Sequence, residues 1–371
     1  MRKHFLIGFI IVIIALVVTS CKKDENSLSD KLSGLKAVTF PEKEEVLKTK
    51  TLRELGGGQK EILQLVKKSL PVDPVNVVED SKLDVIYPGS ILRGDSFMEG
   101  DLDPIAVVNP KEITISISLK GKGYKVKRTT RPSVSDIRQQ LNDLSYDTII
   151  DHNNVPNYLE YESNSVDTYG SFNKTLKAHI RASALFGLVR GSLHYETSEL
   201  SIKQTKYVLI KVRQFLYNVA VDPKPYNEWG DLEQSSIGDY EPVYVSSVDY
   251  GRVAHLLVKT TMTAEETYKQ ISGSIRAGWF LVKAGGSVET SDATKKMFQS
   301  GEIKVITVGG PLGYGKDIQD LETFIRFLQS PSAEELVKSA APISYKIRTL
   351  KDNKTVHVRS FYTEVRKSIV K

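Results

Sequence analysis

Two stretches decide how this chain is read: FNKTLKAHIRASALFGLVRGSLHY at Phe172 to Tyr195 and ISGSIRAGWFLVKAGGSVE at Ile271 to Glu289. Their apolar spacing suits a helix and a membrane-spanning β-hairpin equally well. In the first, Phe172, Leu176, Ile180, Ala184 and Leu188 recur every four residues, so a helix gathers them near one face. Read with period two, the same residues give another pattern. Phe172, Leu176, Ala178, Ile180, Ala182 and Ala184 fall on one side, against Ser171, Asn173, Thr175, Lys177, His179, Arg181 and Ser183, with Lys174 the exception. After Leu185-Phe186-Gly187-Leu188 the alternation resumes, Val189, Gly191, Leu193 and Tyr195 opposing Arg190, Ser192, His194 and Glu196. Two amphipathic strands joined by an apolar tip have this form.

The second stretch repeats the arrangement. Ile271, Ile275, Ala277, Trp279 and Leu281 lie opposite Gln270, Ser272, Ser274 and Arg276, with a turn near Trp279 to Val282. Ala284, Gly286 and Val288 then alternate with Lys283, Gly285, Ser287 and Glu289. Its glycines and serines are poor helix formers. Each arm is about 10 residues long, against the roughly 9 to 11 that a tilted transmembrane strand needs. Half-buried helices or hairpins of a soluble domain have the same periodicity, so pattern alone leaves both readings open.

The N-terminus adds a membrane signal of another kind. Met1-Arg2-Lys3 is followed by the apolar run Phe5 to Val18 and by Val18-Thr19-Ser20-Cys21. A basic start, an apolar stretch and small residues before a cysteine make a lipoprotein signal peptide over residues 1–20, with Cys21 as the lipidation site. A transmembrane anchor is the alternative, but the run is short and stops at the cysteine. Cys21 is the single cysteine of the sequence. Once acylated it leaves no disulfide, thiolate metal site or cysteine nucleophile. Lys22-Lys23-Asp24-Glu25-Asn26 resembles the surface-export signal of some Gram-negative lipoproteins; a solvated charge run is the equal alternative. The expected location is the outer-membrane surface, with release to the extracellular space as a variant.

Composition narrows the partners. The formal charge is +6, and without Arg2 and Lys3 of the signal it is +4. That suits an anionic membrane surface and falls short of a nucleic-acid footprint, which needs basic residues gathered on one face. The roughly 350 residues after Cys21 suffice for a substantial core or several subdomains.

Residues 21–66 read as a lipidated tether and an N-terminal helical segment, with helical patterns at Glu44 to Leu55 and Gln59 to Leu70 separated by Gly56-Gly57-Gly58. Ile113, Ile115, Ile117 and Leu119 alternate with Thr114, Ser116 and Ser118, a half-buried strand. Ser133-Val134-Ser135-Asp136 after Pro132 caps a helix through about Leu144. Long strands are expected at Tyr207 to Val221 and Tyr244 to Thr261, and another at Glu302 to Val308 ending at Gly309-Gly310. Asp317 to Leu328 reads as a helix, Ile343 to Thr349 and Val356 to Phe361 as closing strands, and 364–371 as a C-terminal tail. Each hairpin candidate is thus flanked by long strands.

No catalytic or metal site emerges. Gly310-Pro311-Leu312-Gly313-Tyr314-Gly315-Lys316-Asp317 resembles a phosphate-binding loop, but Asp317 stands where Ser or Thr should ligate magnesium. The histidines His4, His152, His179, His194, His255 and His357 lack paired ligand spacing. No acidic pair has general acid/base spacing. No enzyme activity and no cofactor are expected.

Several segments together resemble the pore-forming core of the cholesterol-dependent cytolysins, the thiol-activated cytolysins of the perforin-like superfamily. They are Leu70-Pro71-Val72-Asp73, Val85 to Leu92, the Ile113 to Leu119 strand, Val248-Asp249-Tyr250-Gly251-Arg252, Val305 to Gly310, Pro342 to Tyr345 and Leu350 to Asn353, in the family's order. The resemblance implies an α+β fold in which a bent, twisted central antiparallel sheet is flanked by two helical clusters that convert to β-hairpins, here within a core at 67–363. It places the two ambiguous stretches where the clusters lie, and it makes Gly309 and Gly310 a hinge. The membrane-inserting residues are then Phe172, Leu176, Ala178, Ile180, Ala182, Ala184, Ile271, Ile275, Ala277, Trp279 and Leu281.

The departure is a C-terminal β-sandwich with a Trp-rich, cysteine-containing loop, expected to be missing here. Cholesterol dependence is therefore not carried over. The expectation is a surface lipoprotein that oligomerises and inserts hairpins into target membrane lipids, with a longer cytolysin-like companion as a candidate partner. A non-lytic regulator, immunity factor or adhesin on the same scaffold is the alternative.

Overall fold

The structure, a computed structural model, describes residues 27–77, 82–119, 126–146, 160–165, 174–179, 206–263, 265–271, 273, 292, 295–296, 303–310, 323–324, 327 and 332–371. The described strands, in chain order, are β1 (Glu44–Gly56), β2 (Gln59–Pro71), β3 (Val75–Asn76), β4 (Ile91–Leu92), β5 (Val107–Val108), β6 (Ile113–Ile117), β7 (Lys127–Thr130), β8 (Glu160–Ser165), β9 (Lys206–Val221), β10 (Asp231–Leu232), β11 (Val243–Thr260), β12 (Ile303–Val308), β13 (Ala341–Thr349) and β14 (Arg359–Val370).

Strands β9 and β11 form the axis of the largest sheet. Their Val, Ile, Leu and Tyr content favours a pleated, buried surface, and they pair antiparallel from Ser247↔Ala220 to Thr260↔Lys206. Each carries two shorter strands end to end along its other edge. Beside β9 run β6, from Ile115↔Val221, and β8, from Glu160↔Arg213 to Ser165↔Val208. Beside β11 run β13, from Val243↔Thr349, and β12, from Val253↔Val308 to Val258↔Ile303. One end of the sheet therefore reads β8-β9-β11-β12.

The two halves meet at a bulge. Tyr250 pairs with Tyr217 but Gly251 with Phe215, leaving Leu216 as the extra residue. A bulge of this kind bends the strand and raises its twist. Gly251 makes the close approach possible, because a Cβ there would sit 2.0 Å from the Gln214 carbonyl oxygen. The core divides at the same level. Toward the β6 and β13 side it holds Trp229, Tyr244, Val245, Val248, Ile347 and many others. Toward the β8 and β12 side, Val208, Ile210, Val212, Ala254, Leu256 and Val258 pack with Ile271, Phe324 and Phe327.

The helix Val134–Tyr146 begins as its cap foretells: Ser133 Oγ accepts from the Asp136 amide at 3.2 Å and meets the Asp136 carboxylate at 2.7 Å. Two expectations are corrected. Glu44 to Leu55 and Gln59 to Leu70 are strands, not helices, and Gly56-Gly57-Gly58, all at positive φ, is the turn between them. The expected boundary at 66/67 therefore falls inside β2. Residues 364–370 likewise belong to β14, which pairs with β2 from Arg359↔Pro71 to Val370↔Lys60. A separate β1-β2-β14 sheet results. The expected helix at Asp317 to Leu328 lies largely outside the described residues.

Gly251→Ala is expected to lower stability by about 1–3 kcal/mol, the usual cost of overpacking, read as a lower urea midpoint. A wild-type midpoint would remove the close approach from the account.

Candidate membrane-converting segments and the hinge

The strands of each flanking pair are hydrogen-bonded neighbours. Residues 166–205 leave β8 and return in β9, and residues 261–302 leave β11 and return in β12. The pairs terminate at one level of the sheet, at Ser165↔Val208, Thr260↔Lys206 and Val258↔Ile303.

Of the first segment, residues 174–179 are described. Residues 174–176 are helical, and Lys177 adopts a left-handed φ of 49°. Asn76 of β3 holds this turn against the sheet. Its Nδ2 donates to the Leu176 carbonyl at 2.9 Å, and its own backbone amide donates to the Lys177 carbonyl at 3.4 Å. Leu176 and Ala178 are buried. Lys177 forms an ion pair with Glu162 at 3.4 Å. The His179 ring contacts the Phe97 carbonyl and packs between Phe40 and Phe97, with centroids 5.0 and 4.8 Å away. Phe172, Ile180, Ala182 and Ala184 lie outside the described residues.

The second segment starts with a reciprocal cap that sequence reading missed, although Thr-x-x-Glu is its signature. The Thr263 amide donates to Glu266 Oε2 at 2.9 Å, and the Glu266 amide donates to Thr263 Oγ1 at 3.2 Å. Residues 265–271 are helical, and Ile271 is fully buried against the sheet. Ile275, Ala277, Trp279 and Leu281 are outside the described residues, as is Cys21.

Beneath the first segment the sheet presents charge where burial is expensive. Lys177, Lys211, Arg213, Glu160, Glu162 and Asn76 line a cleft of about 570 Å³. The register aligns Glu162, Lys211, His255 and Ile306 across β8, β9, β11 and β12. Burial pushes the Lys211 ammonium down to about 8, partly offset by Glu162. His255 is fully buried, neither ring nitrogen has a hydrogen-bond partner among the described residues, and burial with the neighbouring Lys211 pushes it down to about 3. Nearer the bulge, Arg213 reaches Asp249 and Glu160, both at 3.3 Å, and Ser344 donates to Asp249 at 2.6 Å.

The glycine pair sits at the end of β12. Gly309 and Gly310 have φ of +73° and +95°, which other residues adopt only under strain. A Cβ on Gly309 would lie 2.4 Å from the Gly251 carbonyl oxygen, and one on Gly310 would lie 3.0 Å from the Phe327 ring. Arg252, buried beside them, donates to Gln214 Oε1 at 2.6 Å and to the Phe327 carbonyl, with its guanidinium 5.2 Å from the Phe327 ring centroid. Val248 to Arg252 was singled out in the sequence only as part of the family resemblance; its packing on the glycine pair and the role of Gln214 were not legible. Among the described residues there is no cluster of His, Cys, Asp and Glu able to hold a metal.

The axial pair β9/β11 is thus flanked by two segments, one joining β8 to β9 and the other β11 to β12, that leave the sheet at one end. The chain belongs to the thiol-activated cytolysin family, whose model matches residues 35–368. It is 23% identical to perfringolysin O of Clostridium perfringens over 321 residues, 82% of this chain and 61% of the relative. It is 25% identical to pneumolysin of Streptococcus pneumoniae over 312 residues, 79% and 63% respectively. The chain thus spans about three fifths of the length of the curated relatives it matches. Among solved structures, wild-type pneumolysin gives a TM-score of 0.59 at 19% identity, covering 93% of this chain and 75% of that one. The human-specific toxin intermedilysin gives 0.57 at 21%, covering 92% and 74%. The family is one of non-enzymatic pore-forming toxins.

Asn76→Ala is expected to raise hydrogen exchange at 174–179 about fivefold, as the Leu176 carbonyl loses its donor while the backbone amide at 76 still reaches Lys177, with little change in the global unfolding midpoint. His255 and Lys211 set the pH response. The folded His255 binds its proton near pH 3 rather than 6.5, so stability falls as pH drops through that window. His255→Leu should flatten the fall by up to about 1.4 kcal/mol per pH unit. Lys211, lowered to about 8 from 10.5, makes stability rise again between those values. Urea titrations across pH read both.

Proposed function

We propose that this protein is a surface lipoprotein that oligomerises and inserts two amphipathic β-hairpins per subunit into a target membrane. The observation that carries the reading is the placement of both ambiguous segments at one end of adjacent antiparallel pairs, β8/β9 and β11/β12. Extending those strands without changing register turns each segment into a hairpin that prolongs the existing sheet. In that state Leu176, Ala178, Ile180, Ala182 and Ala184 face lipid, as do Ile271, Ile275, Ala277, Trp279 and Leu281, while Lys177, Arg181, Ser272 and Arg276 face water.

An oligomer is required on physical grounds. An inserted hairpin with open edges exposes backbone groups to lipid at several kcal/mol each, and closing a ring removes those edges. Strands β8 and β12 bound the four-strand end of the sheet, so copies placed side by side join there. Gly309 and Gly310 supply the hinge at the end of β12 that clears this edge. Cys21 supplies the lipid anchor, and a longer cytolysin-like companion is the candidate source of membrane recognition.

Ile180→Asp is expected to abolish dye release from vesicles, since a carboxylate on the lipid face disfavours insertion and does so once in every subunit of the ring, while folding and early assembly persist. Dye release at the wild-type rate from this variant would count decisively against insertion.

A further inference from the structure

The β1-β2-β14 sheet has an exposed face composition that its own folding does not explain. Among the described residues nine large hydrophobic side chains are exposed, and seven of them, Val46, Leu47, Leu52, Leu55, Phe361, Ile369 and Val370, lie on this small sheet. Four gather at the end marked by the Gly56-Gly57-Gly58 turn: Ile369 is 60% exposed, Leu52 42%, Leu55 39% and Val370 39%. That end is remote from the central sheet. The β2/β14 pairing runs from Arg359↔Pro71 to Val370↔Lys60, about 37 Å at 3.4 Å per residue. The glycine turn faces open space, with no atom within 4 Å of a Cβ built on any of its three residues.

Charge is sorted along the same axis. The strand halves near the central sheet carry three residues of each sign: Glu44, Glu45 and Glu364 against Lys67, Lys68 and Arg359. The tip halves, 48–56, 59–65 and 365–371, hold seven Lys and Arg against Glu54 and Glu61. Both carboxylates are already engaged, Glu54 with Lys60 at 3.1 Å and Glu61 with Arg53 at 2.7 Å and Lys367 at 2.6 Å. Charged side chains on an edge strand also discourage edge pairing, and that role accounts for Lys48 and Lys50 on β1. It does not account for four exposed aliphatic side chains among the cations.

We infer that the glycine-turn tip of the β1-β2-β14 sheet is a docking site for an anionic lipid surface, its aliphatic residues entering the headgroup region within a basic collar. Large exposed apolar groups rimmed by charge mark interaction sites, and the distribution here selects the occupant. Leu52 and Leu55 lie on β1, one edge of the sheet, while Ile369 and Val370 lie on β14, the other. Ile369 and Val370 are consecutive, so they point to opposite faces. A protein partner covers one face; a lipid interface surrounds a tip on every side and attracts each cation near its surface. The inference rests on the membrane-acting reading above and adds a contact point separate from the hairpins.

The test uses the full chain carrying Cys21→Ser, so that no acyl chain contributes. Leu55→Trp at the tip and Leu47→Trp farther along β1 report depth through quenching by brominated phosphatidylcholine vesicles, with and without phosphatidylglycerol, after subtraction of the parent signal. The expected result is quenching at position 55 that needs phosphatidylglycerol and is at least threefold stronger than at 47. Adding Lys50→Glu and Lys371→Glu should weaken lipid partitioning at least tenfold. Absent or equal quenching at the two positions overturns the inference, as does self-association that depends on Leu52 and Ile369 without lipid contact. Dye release measured in parallel separates the two readings. Release without quenching at 55 sinks the tip and spares the pore; quenching at 55 with no release does the reverse.

Discussion

Everything in this molecule depends on two strands that must remain paired through a change of direction. β9 and β11 share backbone hydrogen bonds on both sides of the Leu216 bulge, and at that level Gly251 lies so close to the Gln214 carbonyl that no side chain fits. A buried backbone cannot leave its donors and acceptors unpaired without a large cost. The ladder is therefore kept and the glycine accepted. The same constraint reaches outward: Gly309 packs on the Gly251 carbonyl, and Arg252 ties Gln214 to Phe327. Bulge, glycine pair and buried arginine form one junction. The ladder also sets what the two inserted segments can become, because any strand they form must start from a register already established.

The docked arrangement is stable but carries unfavourable terms. An imidazole without a hydrogen-bond partner among the described residues and an ammonium whose proton affinity is reduced lie side by side in one row of the sheet, and burial disfavours the charged form of each. Against them stand the apolar burial of Leu176 and Ile271, the Asn76 hydrogen bonds and the Lys177 to Glu162 ion pair. Half-exposed ion pairs contribute little, so the hydrogen bonds and apolar contacts carry most of the docking. A balance of this kind suits the proposed departure of both segments from the sheet.

Much of the sheet was legible from residue order. The alternation at Ile113 to Ile117 and the β-branched run at Tyr207 to Val221 mark strands because both faces or one face must be buried, and period two shows which. The N-terminal hairpin was not legible. Glu, Lys, Leu and Arg in β1 are good helix formers, and its apolar residues fall at spacings that a helix tolerates. Pairing of β2 with both β1 and β14 overrides that preference, and the three glycines between two equal runs were the overlooked sign of a tight turn. The glycine pair after β12 and the Val248 to Arg252 stretch stood out in the sequence as family motifs, but the contacts that join them did not. Asn76 was not, since its role depends on a turn 100 residues away in sequence.

The central claim is that a segment helical at 174–176 becomes a strand in a membrane. The most direct measurement places a single cysteine at each position from Leu176 to Ala184 in the Cys21→Ser chain, attaches a polarity-sensitive dye and adds vesicles. The account predicts alternation, with lipid signals at Leu176, Ala178, Ile180, Ala182 and Ala184 and water signals between them, arising together with a high-mass oligomer. A four-residue periodicity, or spectra unchanged at every position, would contradict it.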